Sequence, residues 1–356
     1  MSTQDPAARA TALRSEAYRI ADEILYPAAG EVDRSGVIPH SHWRALAEAG
    51  LFGIAAPPEA GGPGLEFPQV IEILEVLASG CLSTSFAWLQ HHGVVISLSR
   101  STNTALREEL LDATVSGRLR AGVAFSGAVR TPPHMTARRV DGGWVLSGHS
   151  PFVSGWDIVD LFQISARDVD TDDVVATILP LTELRNRVRV IPMQLSAANA
   201  TSTVSLHVAD LFVPDARVVT RVTREDFFAN QTAGIRINGT LPFGLIRRCA
   251  ALLDASALPH AARRLRERAD AARSALDTAM GVSADALVAA RADAAQLALD
   301  ATSTLVAAHG GSSLIRGYAS ERLHREAAFI LVAASRAEVK DLLLRRFSGL
   351  DDPGAG

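Results

Sequence analysis

At 356 residues the chain is long enough for two or three packed layers or domains. Its hydrophobic content of 48% with only 5% aromatics, much of it alanine, favours helices packed through small aliphatic side chains. A formal net charge of −4, with both signs interspersed, leaves no strongly basic face and argues against nucleic acid as a partner.

The first residues, MSTQDPAARA, carry no apolar leader, and charges break each apolar run before it reaches membrane-spanning length. The expectation is a cytoplasmic protein with no membrane contact. Cys81 and Cys249 lie far apart in apolar helical surroundings, which argues against a disulfide and against a zinc site, so no metal is expected. No H-E-x-x-H, C-x-x-C or G-x-S-x-G occurs, and no G-x-G-x-x-G opens a strand–helix unit.

Residues 6–118 read as helices. Leu13, Ala17, Ile20, Ala21, Ile24 and Leu25 recur at helical spacing, and His40–Glu48 repeats the pattern before the breaker cluster Pro57–Gly64. Two apolar helices follow near 67–79 and 82–99, then a polar one near 103–116. From 119 the period shortens. Ala121–Phe125, Gly143–Leu146, Leu161–Ala166, Val174–Pro180, Val188–Pro192 and Thr203–Phe212 read as short strands, which implies an antiparallel sandwich or barrel. Beyond about 225 the helical period returns and persists to 347, with breaks at Gly281, Gly310–Gly311 and Gly317. Broad Ala/Leu faces there, including Leu252, Leu253, Leu297, Leu299 and Leu305, predict oligomerisation.

Several segments carry a family resemblance. The run ERLHREA at 321–327 resembles the E-R-L-x-R-D-A run near the C-terminus of acyl-CoA dehydrogenases. LAEAGLFGI at 46–54 with PEAGGPGL at 58–65 is similar to a family segment of the helical N-domain. LSGHSPFVSG at 146–155 resembles the family's L-x-G-x-K-x-x-I-T-N/S-G segment, in which an aromatic residue and a Thr or Ser meet the flavin. The order helices, strands, helices is also the family's plan. The resemblance implies a mainly α fold with a β middle domain: a helical N-domain over 1–118, a β domain over 119–222, and a C-terminal four-helix bundle over 223–350.

It also implies FAD as cofactor and an acyl-CoA or related acyl thioester as substrate. Phe152 and Ser154 take the flavin-contact places, and Phe125 and Ser126 fall where the family has C-x-T-E-P. Gly310 and Gly311 match a Gly-Gly pair whose backbone approaches FAD across a subunit interface in the family, though a helix C-cap suits Gly310 equally. His91 falls where a histidine is common in the N-domain, either lining the pocket or packing the helix, and His92 follows it.

The base is where the chain departs. The glutamate that removes the α proton in the family falls on Ala334, and the alternative base position falls on Ile246. Neither takes a proton. Glu338, one helical turn beyond Ala334, is the remaining candidate. Three readings stay open: an FAD-dependent dehydrogenase of the acyl-CoA type, a catalytically silent subunit of a heterotetramer, and a related flavin monooxygenase or oxidase. The expected assembly is a homo-oligomer, or a heterotetramer with a second chain of the family.

Overall fold

The computed structural model describes residues 6–229, 231–333 and 337–350. The N-terminal part is helical. Helix α1 (Pro6–Arg19) widens into a π-helical stretch at Ile20–Leu25 and continues as α2 (Tyr26–Ser35), which ends on left-handed Gly36. Helix α3 (His40–Glu48) precedes the turn-rich 49–66 region. Helix α4 (Phe67–Gly80) starts at a capping box between Glu66 and Gln69. Cys81 separates it from α5 (Leu82–Ser99), and α6 (Thr104–Val115) follows, capped by the Asn103 side chain on the Leu106 N–H.

Among the described residues eight strands form one sheet: β1 (Ala121–Ala124), β2 (Met135–Val140), β3 (Gly143–Val153), β4 (Leu161–Asp168), β5 (Val174–Pro180), β6 (Arg189–Pro192), β7 (Val204–Pro214) and β8 (Val218–Val222). Short helices α7 (Ser126–Val129) and α8 (Leu181–Leu184) interrupt them. The order is β6-β7-β3-β2-β4-β5-β8, with β1 also on β4. The sheet is mixed and not purely antiparallel, since β1 and β2 both run parallel to β4. They share one edge of β4 end to end: Ala121–Ala124 pair with Leu161–Ile164, and Thr136–Ala137 with Arg167–Asp168. Helix α7 lies in the break between them. Strands β2 and β8 were not expected; in β2 the polar run of Thr136, Arg138 and Arg139 hides the buried Met135 and Ala137.

The C-terminal part holds α9 (Arg224–Ala229), α10 (Gln231–Asn238), α11 (Leu241–Ala255), α12 (Pro259–Ala279), α13 (Ala284–His309), α14 (Ala319–Val332) and α15 (Ala337–Ser348). Helices α11 to α14 pack together as a four-helix bundle. Helix α11 also packs on α4, where a Cβ on Gly244 would stand 2.6 Å from that of Ala78. One hydrophobic core therefore joins the N-terminal and C-terminal helices, while the sheet has its own. Leu253, Leu297 and Leu305 are buried in that helical core, and Leu252 and Leu299 pack against it. They do not form the exposed face expected of them, because α4 and the neighbouring bundle helices cover them. The exposed apolar side chains of this part include Val282, Leu314, Ile315, Tyr318, Val332, Leu344, Phe347 and Leu350.

Cys81 and Cys249 are free and buried, and burial pushes the Cys249 thiol up to about 12. No helix of the described residues is long and apolar enough to cross a membrane.

Helix α5 is buried on nearly every side. His91 ties it to two neighbours: its Nε2 donates to the Thr114 carbonyl at 3.0 Å, and its Nδ1 accepts from the Ala121 N–H at 3.1 Å. That pattern requires the neutral ring. Burial lowers its pKa from 6.5 to about 4. The unfolded chain therefore binds a proton between pH 6.5 and 4 that folded His91 refuses. Its contribution is complete above pH 6.5 and declines as pH falls towards 4, by about 3 kcal/mol in all. Burial shifts His42 and His92 in the same direction. Urea unfolding should show stability falling from pH 7 to pH 4.5, with a smaller slope in His91→Gln.

Candidate functional site

Between Ser150 and Val153 strand β3 slips its register against β7. Phe152 stands in this bulge with φ of +55° and is 65% exposed. Left-handed backbone at a bulky residue costs about 1–2 kcal/mol. Two groups of hydroxyls hold it from either side.

On one side Ser126 Oγ donates to the Pro151 carbonyl at 2.5 Å. A hydroxyl has one proton. The 2.8 Å contact of Ser126 with Ser150 is therefore made by the Ser150 proton, and Ser150 in turn accepts from the Gly127 N–H at 3.2 Å. On the other side Thr201 Oγ1 donates to the Ala198 carbonyl at 2.8 Å. Thr203 must then donate to Thr201, and Ser154 to Thr203, both at 2.8 Å. The 198–202 turn, with left-handed Ala198 and Ser202, also accepts the Gly155 and Trp156 N–H groups. Arg325 links the preceding loop to the bundle by donating to the Ser196 carbonyl while pairing with Asp33 and Glu321. Each hydroxyl bond contributes about 1 kcal/mol, enough together to offset the strain at Phe152.

Phe125 closes β1 half-buried, and Ser126 opens α7. Strand β1 lies directly against the far side of the bulge: a Cβ on Gly122 would come within 2.7 Å of the Phe162 ring and 3.3 Å of the Ser154 carbonyl. Phe125, Ser126, Phe152 and Ser154 thus belong to one locality. Gly310 and Gly311 lie in a 3₁₀ turn after α13, where an added Cβ would meet nothing within 4 Å. This turn and Phe152 both stand open to solvent in the single chain. Ile246 is buried in the helical core, 1% exposed. Glu338 is exposed in the first turn of α15, where a carboxylate complements the helix N-terminus. Ala334 lies outside the described residues.

Sequence reasoning missed Ser150, Thr201 and Thr203. The run Asn199-Ala200-Thr201-Ser202-Thr203, rich in short hydroxyl side chains just before a strand, is the signal that marks them.

The sheet stands between two sets of helices, with an aromatic bulge beside its split edge. Residues 8–118 match the family model "Acyl-CoA dehydrogenase, N-terminal domain". The chain is 29% identical over 169 residues to benzylmalonyl-CoA dehydrogenase of Aromatoleum aromaticum, covering 45% of this chain and 44% of that one. It is 27% identical over 164 residues to mitochondrial isovaleryl-CoA dehydrogenase of Pongo abelii, covering 44% and 38%. The matched segment thus spans less than half the length of these curated relatives. The solved structure of butyryl-CoA dehydrogenase from Megasphaera elsdenii has the same fold, with a TM-score of 0.80 at 16% identity over 98% of this chain and 99% of that one. Residues 8–118 are thus similar to the N-terminal domain of acyl-CoA dehydrogenases, and the chain as a whole shares the fold of that solved structure.

Two substitutions separate strain from hydrogen bonding at the bulge. Phe152→Asn, which tolerates the left-handed region, should leave stability unchanged or raise it by up to about 1 kcal/mol. Ser154→Ala removes the proton that Thr203 accepts and should cost about 1 kcal/mol. Thermal unfolding of both variants measures the difference.

Proposed function

We propose that the chain is a flavin-dependent oxidoreductase of the acyl-CoA dehydrogenase type, with FAD as cofactor and an acyl-CoA or related acyl thioester as substrate. The observation that carries this reading is Phe152, an exposed aromatic held on strained backbone by two hydroxyl groupings. Strain of this kind persists where the surroundings over-determine it, and it gathers at ligand sites. A pre-set aromatic face fits a planar ring system at little ordering cost.

Phe152 would lie against the isoalloxazine ring, and the main chain at Phe125, Ser126 and Ser154 would face its polar edge. The side-chain protons of Ser126 and Ser154 are committed within the protein, so main-chain N–H groups are the donors left for that edge. Bound there, FAD would supply the hydride acceptor. Gly310–Gly311, with exposed Leu314, Ile315 and Tyr318 beside them, would cover Phe152 from a second copy or from a related chain. An oligomer, homomeric or two-plus-two, is part of the reading.

A second reading is favoured by Ile246. It is aliphatic and buried, and residue 334 is alanine, so neither base position takes a proton. In this reading the chain is a silent subunit that helps hold FAD for a partner carrying the glutamate.

The test is a visible spectrum of the purified protein, alone and co-expressed with a Glu-bearing family member. A flavin spectrum is expected in at least one preparation, and a colourless protein in both would end the reading. Phe152→Ala should weaken FAD retention by about tenfold. Anaerobic reduction of the isolated chain by saturated acyl-CoAs should be slower than in a Glu-bearing relative by about 10²–10⁴. Ala334→Glu should restore part of that rate, and Glu338→Gln should leave it unchanged.

A further inference from the structure

A guanidinium has five N–H donors, and Arg325 on α14 uses all of them. Nε donates to Glu321 Oε1, and Nη2 divides between Glu321 Oε2 at 3.0 Å and Asp33 Oδ2 at 2.6 Å. Nη1 divides between Asp33 Oδ1 at 3.0 Å and the Ser196 carbonyl at 2.7 Å. One side chain thus joins α14, the last turn of α2 and the loop between β6 and β7. The side chains of Asp33 and Glu321 are 15% and 17% exposed, so both depend on the cation between them. A planar fork can meet two carboxylates and a carbonyl at once, whereas a lysine carries its three donors on one atom.

The loop is held closely from Ser196 onward. Ala197, Ala198 and Ala200 are buried, and Asn199 Oδ1 accepts from the Leu195 N–H at 3.0 Å. The end of α2 stands against it: a Cβ on Gly36 would lie 3.2 Å from Asn199 Nδ2. The carbonyls of Thr201 and Ser202 then accept from the Gly155 N–H at 2.7 Å and the Trp156 N–H at 3.1 Å, and Thr203 takes the Ser154 proton. The loop therefore sets the place of residues 154–156, and Arg325 sets the place of the loop. From Arg325 the helix runs about 10 Å further to its end at Val332, two positions before residue 334.

We propose that Arg325 is a positioning residue for the flavin: its fork fixes the separation between the flavin-contact stretch at 152–155 and the end of α14 that leads to residue 334. This rests on the flavin reading above. Dehydrogenation of an acyl thioester takes a proton and a hydride from adjacent carbons, so the two acceptors must stand at a set distance. A fork with no spare donor allows one arrangement of its three partners. Alanine at 334 removes the proton acceptor and leaves this frame in place, which also suits a chain that holds FAD for a partner.

The test compares Arg325→Lys, which keeps the charge and loses the fork, with Arg248→Lys. Arg248 likewise joins a carboxylate, Asp22, and a carbonyl, that of Ser79, but it does so between helices. The first readout needs no flavin. Hydrogen exchange of the Gly155 and Trp156 amides should quicken about tenfold in Arg325→Lys and stay near the wild-type rate in Arg248→Lys. The second readout is FAD affinity by fluorescence quenching. Arg325→Lys should weaken it about fivefold, and Phe152→Ala added to Arg325→Lys should cost less than it does alone, since both act through the same bulge. Asp33→Asn should move both readouts in the same direction by less, and it keeps the test open if Arg325→Lys does not fold. Amide exchange that is unchanged, or that rises equally in Arg248→Lys, would overturn the proposal and leave the flavin reading standing, as would fully additive losses of FAD affinity. A wild type that binds no FAD, alone or co-expressed, would instead end the flavin reading and this proposal with it.

Discussion

A helix buried on nearly every side has to find partners inside the protein for the polar groups it carries, and α5 is such a helix. His91 answers that demand by joining three elements through one neutral ring. Its donor end closes on the last turn of α6 and its acceptor end on the first residue of β1. Where β1 begins decides how it registers on β4, and that register brings Gly122 against the Ser154 carbonyl. The aromatic bulge is thus referenced, through one strand, to a histidine on the opposite side of the sheet.

The bulge is an example of rigidity built from small parts. Serine and threonine hydroxyls tie down the residues on either side of Phe152, Pro151 through its carbonyl and Ser154 through its side chain, and each hydroxyl has one proton and therefore one direction in which to donate. Short side chains lose little freedom when they are fixed. The conformation can thus be held without a ligand present, which is what pre-organisation requires.

The order of helices, strands and helices was legible because period and breakers carry it. Gly281 and Gly310–Gly311 do mark the ends of α12 and α13, and Phe152 with Ser154 proved to share a locality with Phe125 and Ser126. Strand direction was not legible, since alternation looks the same in parallel and antiparallel pairs, and β2 was lost behind Arg138 and Arg139. In sequence Ser154 reads only as a flavin-contact residue. Its proton is taken by Thr203, forty-nine positions away, and no local pattern reports a partner at that distance. The expected leucine face in the bundle failed for a related reason: periodicity shows that a face is apolar but not which neighbour covers it.

The joint core of the first and last helices has a consequence for how the chain is made. Helix α4 buries its apolar face against α11, which a ribosome delivers only after the whole strand region has emerged. At ordinary rates of synthesis that interval is on the order of ten seconds. Throughout it the face carrying Ala78 has no native cover. Helper proteins that bind nascent apolar helices would meet this chain at α4, and slowing translation past residue 120 would lengthen the exposure. The strands, closing on a core of their own, do not wait.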